Sequence, residues 1–233
     1  NSFKAGRYYV SVLVKDKKDY TFDGFSEGIG IDLGIKDLAI VSNIDKPFKN
    51  INKSKEVKRL NKKLKRLQRK VSRKYDNLKV EKTFQKGEKL TKTQNIIKLE
   101  NEIRLVHKRI ADIRLNHIHQ TTNDIVKTKP SRVVVEDLNV KGMMKNKHLS
   151  KAIGEQSFNK FLTILKYKCK WRDIEFVKAD RFFPSSKMCS CCGTIKKDLK
   201  LKDRIYKCPN QECNLVIDRD KNSSINLANY KLA

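Results

Sequence analysis

Apolar residues recur at steps of three and four along two long stretches of the chain, with polar residues between them. The members of the two seams are Val57, Leu60, Leu64, Leu67 and Val71, then Ile96, Leu99, Ile103, Val106, Ile110, Ile113 and His117. Such spacing puts the apolar side chains on one face of a helix. The polar segment "KYDNLKVEKTFQKGEK" interrupts the pattern, so residues from about 53 to 123 are predicted to form an antiparallel helical hairpin. Because His117 continues the second seam, packing or phosphate contact is favoured over a metal role for the His117–His119 pair.

Shorter apolar runs before and after this hairpin have the pattern of β-strands. The segment "EGIGIDLGIKDLAIVSN" predicts two strands joined at residues 34–36. Glycine supplies the turn of such a β-hairpin, and β-branched residues fill its arms. Further strands are predicted over residues 7–15, at "VVVE" after Pro130, and at "DIEFVKAD". An amphipathic helix running from Phe158 to Cys169 separates the last two.

The order of these elements indicates the fold class. Strands alternate with helices after an antiparallel β-hairpin, and a last helix is predicted from about Asp220 to Tyr230. This order favours an α/β domain built on a mixed sheet. The helical hairpin and a cysteine-rich segment near the C-terminus are then insertions into that domain.

The net charge of the chain indicates which class of partner it binds. Lys and Arg number 54 against 26 Asp and Glu, for a formal net charge of +28 over 233 residues. Self-repulsion of this size favours a polyanionic partner, and nucleic acid fits best. A membrane surface is disfavoured because the basic helices carry few aromatic anchors, and no apolar run reaches the ~18 residues that span a bilayer. Since the chain begins at Asn1 without an initiator Met, we expect it to be part of a larger protein.

The first predicted helix carries much of this charge. Between Lys53 and Lys74 there are twelve Lys or Arg residues and one acid, Glu56. A solvated helix face is the alternative, but so one-sided a charge favours contact with the phosphates of a nucleic acid. Such contacts recognise the backbone and the shape of a duplex and not its base sequence. The candidate contacts are Arg59, Lys62, Lys63, Arg66, Arg69, Lys70 and Arg73.

Four cysteines have the spacing of a zinc ribbon. Cys189 and Cys192 form a CxxC pair, fifteen residues separate Cys192 from Cys208, and Cys208 and Cys213 form a C-x4-C pair. Short-spaced pairs let both sulfurs face one ion, which unrelated buried thiols would not explain. Because four thiolates leave no open coordination position, the predicted zinc is structural.

The residues around these pairs are consistent with that prediction. Gly193 and Asn214 follow the two pairs and tolerate the left-handed backbone that metal-binding turns often need. Cys191 is interpreted as a spare thiol, because its neighbours already satisfy the spacing. Cys169 lies on the apolar face of a helix and is interpreted as a core residue.

Acidic residues at the ends of core elements suggest a second kind of site. Asp32 lies within an apolar strand, Glu136 ends another, and Asp220 opens the last helix. Each has a simpler explanation: Asp32 a turn cap, Glu136 a solvated strand end, and Asp220 a complement to the helix dipole. Asp218 is a plausible helix N-cap. Together with the basic charge, the three acids favour Mg²⁺ or Mn²⁺ chemistry on phosphodiesters.

Four segments resemble the successive motifs of the TnpB family, proteins encoded by insertion sequences and related to type V CRISPR nucleases. They are "GIDLGIKDLAIVSN", "RVVVEDLNVKGMMKN", "RFFPSSKMCSCCG" and "CPNQECNLVIDRDKNSSINLA". The resemblance implies a RuvC-type, RNase H-like nuclease domain. It places the catalytic acids on Asp32, Glu136 and Asp220, the last in a D-x-N pattern with Asn222. The usual "NAA" of that motif is "NSS" here, so small residues are kept and packing at the helix start should survive.

The same resemblance implies a domain organisation. The expected divisions are a remnant of an N-terminal wedge domain (1–22), three RuvC parts (23–51, 124–187 and 215–233), a helical hairpin (52–123) and a zinc ribbon (188–214). The family's N-terminal wedge and helical recognition regions engage the guide RNA. In this chain they are expected to be represented only by residues from Asn1 to about Tyr20.

The function implied by the resemblance is RNA-guided cleavage of DNA. The expected partners are a guide RNA and double- and single-stranded DNA, and the expected cofactors are two catalytic Mg²⁺ (or Mn²⁺) ions and one structural zinc. The implied setting is the cytoplasm of a prokaryote, at the nucleoid. Two alternatives stay open: a transposase that transfers DNA strands with a similar acid triad, and a non-catalytic nucleic-acid-binding regulator.

Overall fold

The computed structural model describes residues 2–4, 7–15, 21, 22, 24–81, 91–200 and 202–231. The chain divides into two compact units. One unit comprises Asn1–Lys17 and Ile51–Asn116, and the other comprises Lys18–Asn50 and His117–Ala233. Within the described residues, every helix is too short or too polar to cross a bilayer.

The first unit is dominated by two long helices. A 3₁₀ turn, Ile51–Lys53, leads into helix α1 (Lys55–Glu81), and helix α2 (Gln94–Lys127) returns. Their facing seams bury Val57, Leu67, Val106 and Ile110, and five further seam residues are partly buried around them: Leu60, Leu64, Leu99, Ile103 and Ile113. Two ion pairs join the helices, Glu56 with Arg109 at 3.0 Å and Lys63 with Glu102 at 3.7 Å. The later position on α1 pairs with the earlier position on α2, so the two helices are antiparallel. The predicted antiparallel helical hairpin is confirmed.

Helix α1 is longer than its hydrophobic pattern predicts. The segment expected to break the hairpin begins inside α1, which continues through Tyr75 to Glu81. The Tyr75 hydroxyl donates a 2.6 Å hydrogen bond to Glu100 Oε1 on α2. This polar contact joins the two helices where the apolar seam has ended. The rest of that segment, residues 82–89, lies outside the described residues.

The predicted first strand is shorter in the structure. Strand β1 (Ser2–Lys4) pairs antiparallel with β2 (Arg7–Tyr9), and the register places Ser2 opposite Tyr9. Residues 10–15 lie beyond this pairing and are exposed, not strand, so the prediction of a strand through Lys15 is wrong. Alternating apolar residues form a strand only where a neighbouring strand supplies hydrogen-bond partners.

A five-stranded mixed sheet forms the centre of the second unit. Its strands are β3 (Ile29–Leu33), β4 (Asp37–Val41), β5 (Phe48–Lys49), β6 (Arg132–Glu136) and β7 (Glu175–Ala179). They lie in the order β5-β4-β3-β6-β7, with β3, β6 and β7 mutually parallel and β4 antiparallel to both neighbours. The predicted β-hairpin and the mixed α/β sheet are confirmed.

Further helices belong to this unit. They are α3 (Val140–Met144), α4 (Ser150–Gln156), α5 (Phe158–Trp171) and α6 (Arg219–Ala228). Helix α5 packs against β7 and buries Phe158, Leu165 and Cys169. The thiol of Cys169 is therefore a core group, as predicted, and burial raises its pKa to about 12.

Helix α6 lies directly on the backbone of β3. A Cβ atom added to Gly30 would stand 2.0 Å from the Ser224 carbonyl oxygen and 2.3 Å from the Ala228 amide nitrogen. Leu227 packs with Val134 and Val177 on the same face of the sheet. Because Gly30 lacks a side chain, the helix approaches more closely than any other residue would allow. Ser224 is buried in this contact and Ser223 is buried with its hydroxyl 3.0 Å from that of Ser185, so the small residues at the helix start pack as expected.

A small hairpin connects the cysteine segment to this helix. Strands β8 (Ile205–Lys207) and β9 (Val216–Asp218) pair antiparallel, with Ile205 opposite Asp218. Strand β9 runs straight into α6. Elsewhere in this unit His117 is half-buried, and its Nε2 makes a 2.9 Å hydrogen bond with the Lys49 carbonyl. That contact agrees with packing and gives no indication of a metal role.

Candidate active site

Two of the acids lie side by side at one edge of the sheet. The register of β3 and β6 pairs Gly30 with Val134 and Ile31 with Val135. Asp32 and Glu136 are the next residues on these parallel strands, so both come at the carboxyl end. Because side chains alternate between faces, Asp32 shares the face of Gly30, the face covered by α6. The sheet register thus brings together two acids from distant parts of the sequence.

The third acid is delivered by the start of α6. The Asp218 carboxylate accepts hydrogen bonds from the Asp220 and Lys221 amides, at 2.9 and 3.1 Å, and therefore caps the helix, as predicted. Asp220 lies in the first turn of α6, and its own carboxylate does not cap the helix. Two guanidinium groups approach it, Arg219 at 3.5 Å and Arg204 at 3.7 Å.

The acids affect one another electrostatically. Burial raises the pKa of Asp32 well above its ordinary value, and the negative charges of Asp220 and Glu136 raise it further, against the opposing charge of Arg219. Burial also raises the pKa of Glu136, with a contribution from Asp137. A carboxylate in an apolar strand is unfavourable unless a positive charge or a metal compensates it. We call the edge of the sheet where Asp32, Glu136 and Asp220 lie the acidic edge. Its buried negative charge favours a bound cation.

The acidic edge and the cysteine segment differ in how tightly their side chains converge. Among the described residues, one group of three or more His, Cys, Asp or Glu side chains comes close enough to surround a single ion, and it consists of cysteines. The three carboxylates are coupled electrostatically but do not form such a group.

Sequence reasoning missed the side chain that anchors the start of α6. The Lys221 ammonium donates hydrogen bonds to the carbonyl oxygens of Val41, Ser42 and Ile44, at 3.0, 2.9 and 2.9 Å. Ser42 is in turn hydrogen-bonded to Gly30 through both its amide and its hydroxyl. Lys221 thus ties Asp220 to the end of β4. One lysine among 54 basic residues carries no signal of this role.

Two buried asparagines tie the same helix to the cysteine segment. Asn222 accepts from the Ser190 amide at 3.0 Å and donates to the Met188 carbonyl at 2.7 Å. Asn226 donates to the same Met188 carbonyl at 2.6 Å and to Ser185 at 2.7 Å. Two asparagines four residues apart on a helix were the available signal, since they lie on one face.

The four cysteines converge on one point. Their sulfurs all lie within 4.8 Å of one another, with Cys189 and Cys213 at 3.7 Å and Cys192 and Cys208 at 3.5 Å. A tetrahedral zinc ion with Zn–S bonds of about 2.3 Å separates its sulfurs by roughly 3.8 Å. The cluster can therefore hold a structural metal such as zinc.

The backbone turns around the cluster match the prediction. Gly193 and Asn214 both have left-handed backbone, with φ of 76° and 49°. The Gly193 amide donates to the Cys189 carbonyl at 3.0 Å, and the Asn214 amide donates to the Asn210 carbonyl at 3.2 Å. Cys191 is exposed and outside the cluster, as expected of a spare thiol.

The basic residues of α1, in the other unit, are presented to solvent. All seven candidate contacts are exposed, while the seam residues between them are buried or partly buried. Lys63 is 3.7 Å from Glu102. This arrangement leaves a cationic surface on the sides of the helix that do not pack. Its contact with nucleic acid stays a prediction.

The fold and the acidic edge define a class: mixed-sheet α/β proteins that gather carboxylates at the carboxyl ends of parallel strands. Comparison with known families is more specific. Residues 25–147, more than half of the chain, match the family OrfB_IS605, described as "Probable transposase", and residues 158–227 match the "Cas12f1-like, TNB domain". The chain belongs to this transposase family, and the resemblance to TnpB proteins is confirmed.

Curated relatives extend the match along the whole chain. A "Putative RNA-guided DNA endonuclease" of Streptomyces pristinaespiralis is 34% identical over 230 residues, 99% of this chain and 51% of the relative. The endonuclease InsQ of Escherichia coli K12, named in the same way, is 25% identical over 89% of this chain and 50% of its own length. The chain thus spans about half the length of these two relatives.

Solved structures share the fold. A chain of the Cas12f1–sgRNA–target DNA complex aligns with a TM-score of 0.57 at 19% identity, covering 96% of this chain and 53% of that one. A chain of a CRISPR–Cas12f ternary complex aligns with a TM-score of 0.59 at 20% identity, covering 95% and 42%. At this level of identity the likeness shows the mixed α/β fold.

Proposed function

We propose that this chain is the nuclease portion of an RNA-guided DNA endonuclease with a RuvC-type, RNase H-like domain. The observation that carries the proposal is the buried Asp32 carboxylate, whose pKa is raised by burial and by the charges of Asp220 and Glu136. Retention of three acids at one sheet edge is unfavourable for folding alone and favours metal-assisted chemistry. The relatives' names and the basic charge of the chain agree with DNA as the substrate.

The donor set suits hard divalent cations. Asp32, Glu136 and Asp220 would hold two Mg²⁺ (or Mn²⁺) ions, since carboxylate oxygens are the ligands that these ions prefer. Bound there, the ions would supply activation of water and neutralisation of the leaving 3′-oxygen, leaving 5′-phosphate and 3′-hydroxyl ends. Asp218 and Lys221 hold the backbone of Asp220 in place, so the carboxylate is positioned before a substrate arrives.

The cysteine cluster has a structural role in this proposal. Cys189, Cys192, Cys208 and Cys213 would bind one zinc ion, whose closed thiolate shell leaves no position for substrate. Through Asn222, which contacts Met188 and Ser190 on either side of Cys189, the metal would brace the helix that carries Asp220. Zinc analysis of the purified chain, with one ion per chain expected, measures this directly.

Recognition of nucleic acid is assigned to the exposed basic residues of α1. Lys and Arg side chains contact phosphates and read the shape of a duplex. Sequence selection would come from base pairing with a guide RNA, as in RNA-guided systems generally. The division of the chain into RuvC parts, helical hairpin and zinc ribbon, which the family resemblance implies, belongs to the same proposal.

The acidic edge is tested by substituting Asp32. Asp32→Ala is expected to abolish Mg²⁺-dependent cleavage by the chain supplied with its co-purifying RNA, while nucleic-acid affinity stays nearly intact. Mn²⁺ binding, followed by electron paramagnetic resonance, should weaken in parallel. The matched control is Asp198→Ala, an exposed acid in the same unit, which should change neither.

Three results would decide against the proposal. Unchanged cleavage by Asp32→Ala would remove the acidic edge from the chemistry. Absence of Mn²⁺ binding by the unsubstituted chain would contradict the metal assignment. Products in which the substrate ends are joined to a second DNA would instead indicate strand transfer by a transposase.

A further inference from the structure

One aromatic side chain near the acidic edge is almost fully exposed. Phe182 has 87% of its surface accessible, in the turn after β7. Burying a phenyl ring stabilises a fold by roughly 1.5–3 kcal/mol, and Phe182 contributes little of that. Single exposed apolar side chains are normal on protein surfaces; Phe182 differs in its fixed support and in its position close to the acidic edge.

The turn that carries Phe182 is held on both sides. Its amide donates to the Asp180 carboxylate at 2.7 Å, and the Asp180 amide donates to the Tyr230 hydroxyl at 3.2 Å. The next residue, Phe183, packs edge-on against Tyr230 with ring centroids 5.0 Å apart. The preceding residue, Arg181, is hydrogen-bonded to Asp137 at 2.5 Å. Phe183 thus packs against the protein and Arg181 is tied to Asp137, while the Phe182 ring faces solvent on a fixed turn.

This turn lies beside the acidic edge. Ala179, the last residue of β7, pairs directly with Glu136 on β6, and adjacent strands lie about 4.8 Å apart. Phe182 follows three residues later, which extends at most roughly 11 Å. The Arg181 side chain contacts Asp137, the residue after Glu136. The Phe182 Cα is therefore within roughly 16 Å of the Glu136 Cα, the reach of a few nucleotides at ~3.4 Å each.

We infer that Phe182 is a stacking platform for an unpaired nucleobase of the nucleic-acid strand that enters the acidic edge. The inference rests on the proposed function of that edge and adds a residue that positions the strand. Aromatic rings bind bases of any sequence through their π-faces, which suits a site whose sequence selection lies elsewhere. Phe182 would hold the base next to the phosphates that approach Asp32 and Glu136.

The surroundings favour a nucleic acid over an apolar partner. Lys187 is exposed close to Phe182 in sequence, whereas the exposed Lys178 and Arg181 are paired with Asp137. The whole chain carries a net charge of +28, which favours a polyanionic partner. A single ring offers too little apolar area for a protein interface, which buries about 800 Å² on each partner. One exposed ring on a strongly basic chain fits one base flanked by phosphates.

The test measures binding of the chain to fluorescently labelled single-stranded DNA without added divalent cation, so that no cleavage intervenes. Salt of about 0.3 M weakens the phosphate contacts and leaves stacking prominent. Phe182→Ala should weaken binding roughly 5- to 150-fold, the range of one lost base stack. Phe182→Trp should bind at least as tightly as Phe182, whereas Phe182→Leu, apolar but without a π-face, should resemble Phe182→Ala.

A second exposed aromatic provides the matched control. Trp171 is 60% exposed at the end of α5, next to Tyr167, and precedes the start of β7 at Glu175. It therefore lies at the opposite end of that strand from Phe182. Trp171→Ala should leave DNA affinity unchanged within twofold. Because both side chains are exposed, both variants should keep the circular dichroism and melting temperature of the parent.

Abasic substitutions identify the stacked base. Replacing one base at a time by an abasic site should weaken DNA binding by the parent chain at one or two positions. At those positions the abasic site should not weaken DNA binding by Phe182→Ala any further. Equal abasic profiles for the two proteins would overturn the inference. So would a change in oligomeric state of Phe182→Ala with unchanged DNA affinity, which would indicate a self-contact. Failure of the catalytic proposal is separate, since it shows in cleavage and Mn²⁺ binding and not in this assay.

Discussion

Asp32 is a residue whose environment opposes its charge. It lies in an apolar strand, and burial together with Asp220 and Glu136 raises its pKa above the ordinary value of 3.8. A raised pKa in the folded state means that Asp32 favours folding most below pH 3.8. That contribution declines as the pH rises through the ordinary value towards the raised one. At neutral pH the ionised carboxylate therefore opposes folding unless a cation compensates it.

Replacement of this carboxylate is expected to stabilise the metal-free chain. Asp32→Asn keeps the shape and removes the charge, so the melting temperature without divalent cations at pH 7 should rise by several degrees, at about 2–4 °C per kcal/mol for a chain of this size. Mg²⁺ should raise the melting temperature of the parent and not of the variant. Calorimetry at pH 7 and pH 4 measures both, and the difference should shrink at pH 4. A lower melting temperature for Asp32→Asn would show that the charge is compensated within the protein.

Helix α6 is the element on which the candidate site depends. It carries Asp220, it is fixed by the contacts of Lys221, and its asparagines join it to the cysteine segment. It also lies against the backbone of Gly30, two residues before Asp32 on the same face of β3. One close helix–strand contact therefore sets the spacing between two of the three acids.

Closing the space over Gly30 should displace this helix. Gly30→Ala would put a Cβ 2.0 Å from a backbone oxygen, and overpacking of this kind costs about 1–3 kcal/mol or more. We expect a fall of at least several degrees in melting temperature and loss of Mn²⁺ binding. Gly28→Ala is the control on the same stretch of chain, because its nearest contact would be 3.4 Å, to Arg132. Similar melting temperatures for the two variants would contradict the described contact.

The molecule as a whole carries its charge unevenly. Several basic residues of α2 are paired with acids, as Arg104 is with Glu100 and Lys108 with Asp112, whereas the basic residues of α1 project into solvent. Paired charges contribute little to binding a polyanion, since each is already neutralised. In the helical hairpin, the basic residues of α1 are therefore available to bind phosphates, whereas several of those on α2 are neutralised by ion pairs within the protein.

The salt dependence of binding should reveal this difference. Each phosphate contact on duplex DNA contributes a slope of about −0.9 to log K against log salt concentration. A triple variant of exposed α1 residues should flatten the slope by up to about 2.7, whereas a triple variant of ion-paired α2 residues should change it little. The two sets are Arg59, Arg66 and Arg73 on α1, and Arg104, Lys108 and Arg109 on α2. Fluorescence anisotropy between 0.1 and 0.4 M salt gives both slopes; equal slopes would remove α1 from the binding surface.

Much of this molecule could be predicted from local pattern. The seams of α1 and α2, the β-hairpin at residues 34–36 and the paired cysteines depend on spacing within a few residues, and the structure has all three. The expected strand through Lys15 was wrong because strands need a partner, which the alternation of side chains does not reveal. The end of α1 was placed too early because Tyr75 extends the helix pair through a polar contact with Glu100.

The sequence by itself determined the main helices and strands, the four clustered cysteines and the family, because periodicity, cysteine spacing and motifs are local properties of the chain. Only the tertiary structure decided which distant groups meet. Asp32 and Glu136 become neighbours through the parallel register of β3 and β6, and Lys221 finds carbonyl partners 177 to 180 residues away. Such contacts depend on how the whole sheet and its covering helix pack, and no short segment contains that information.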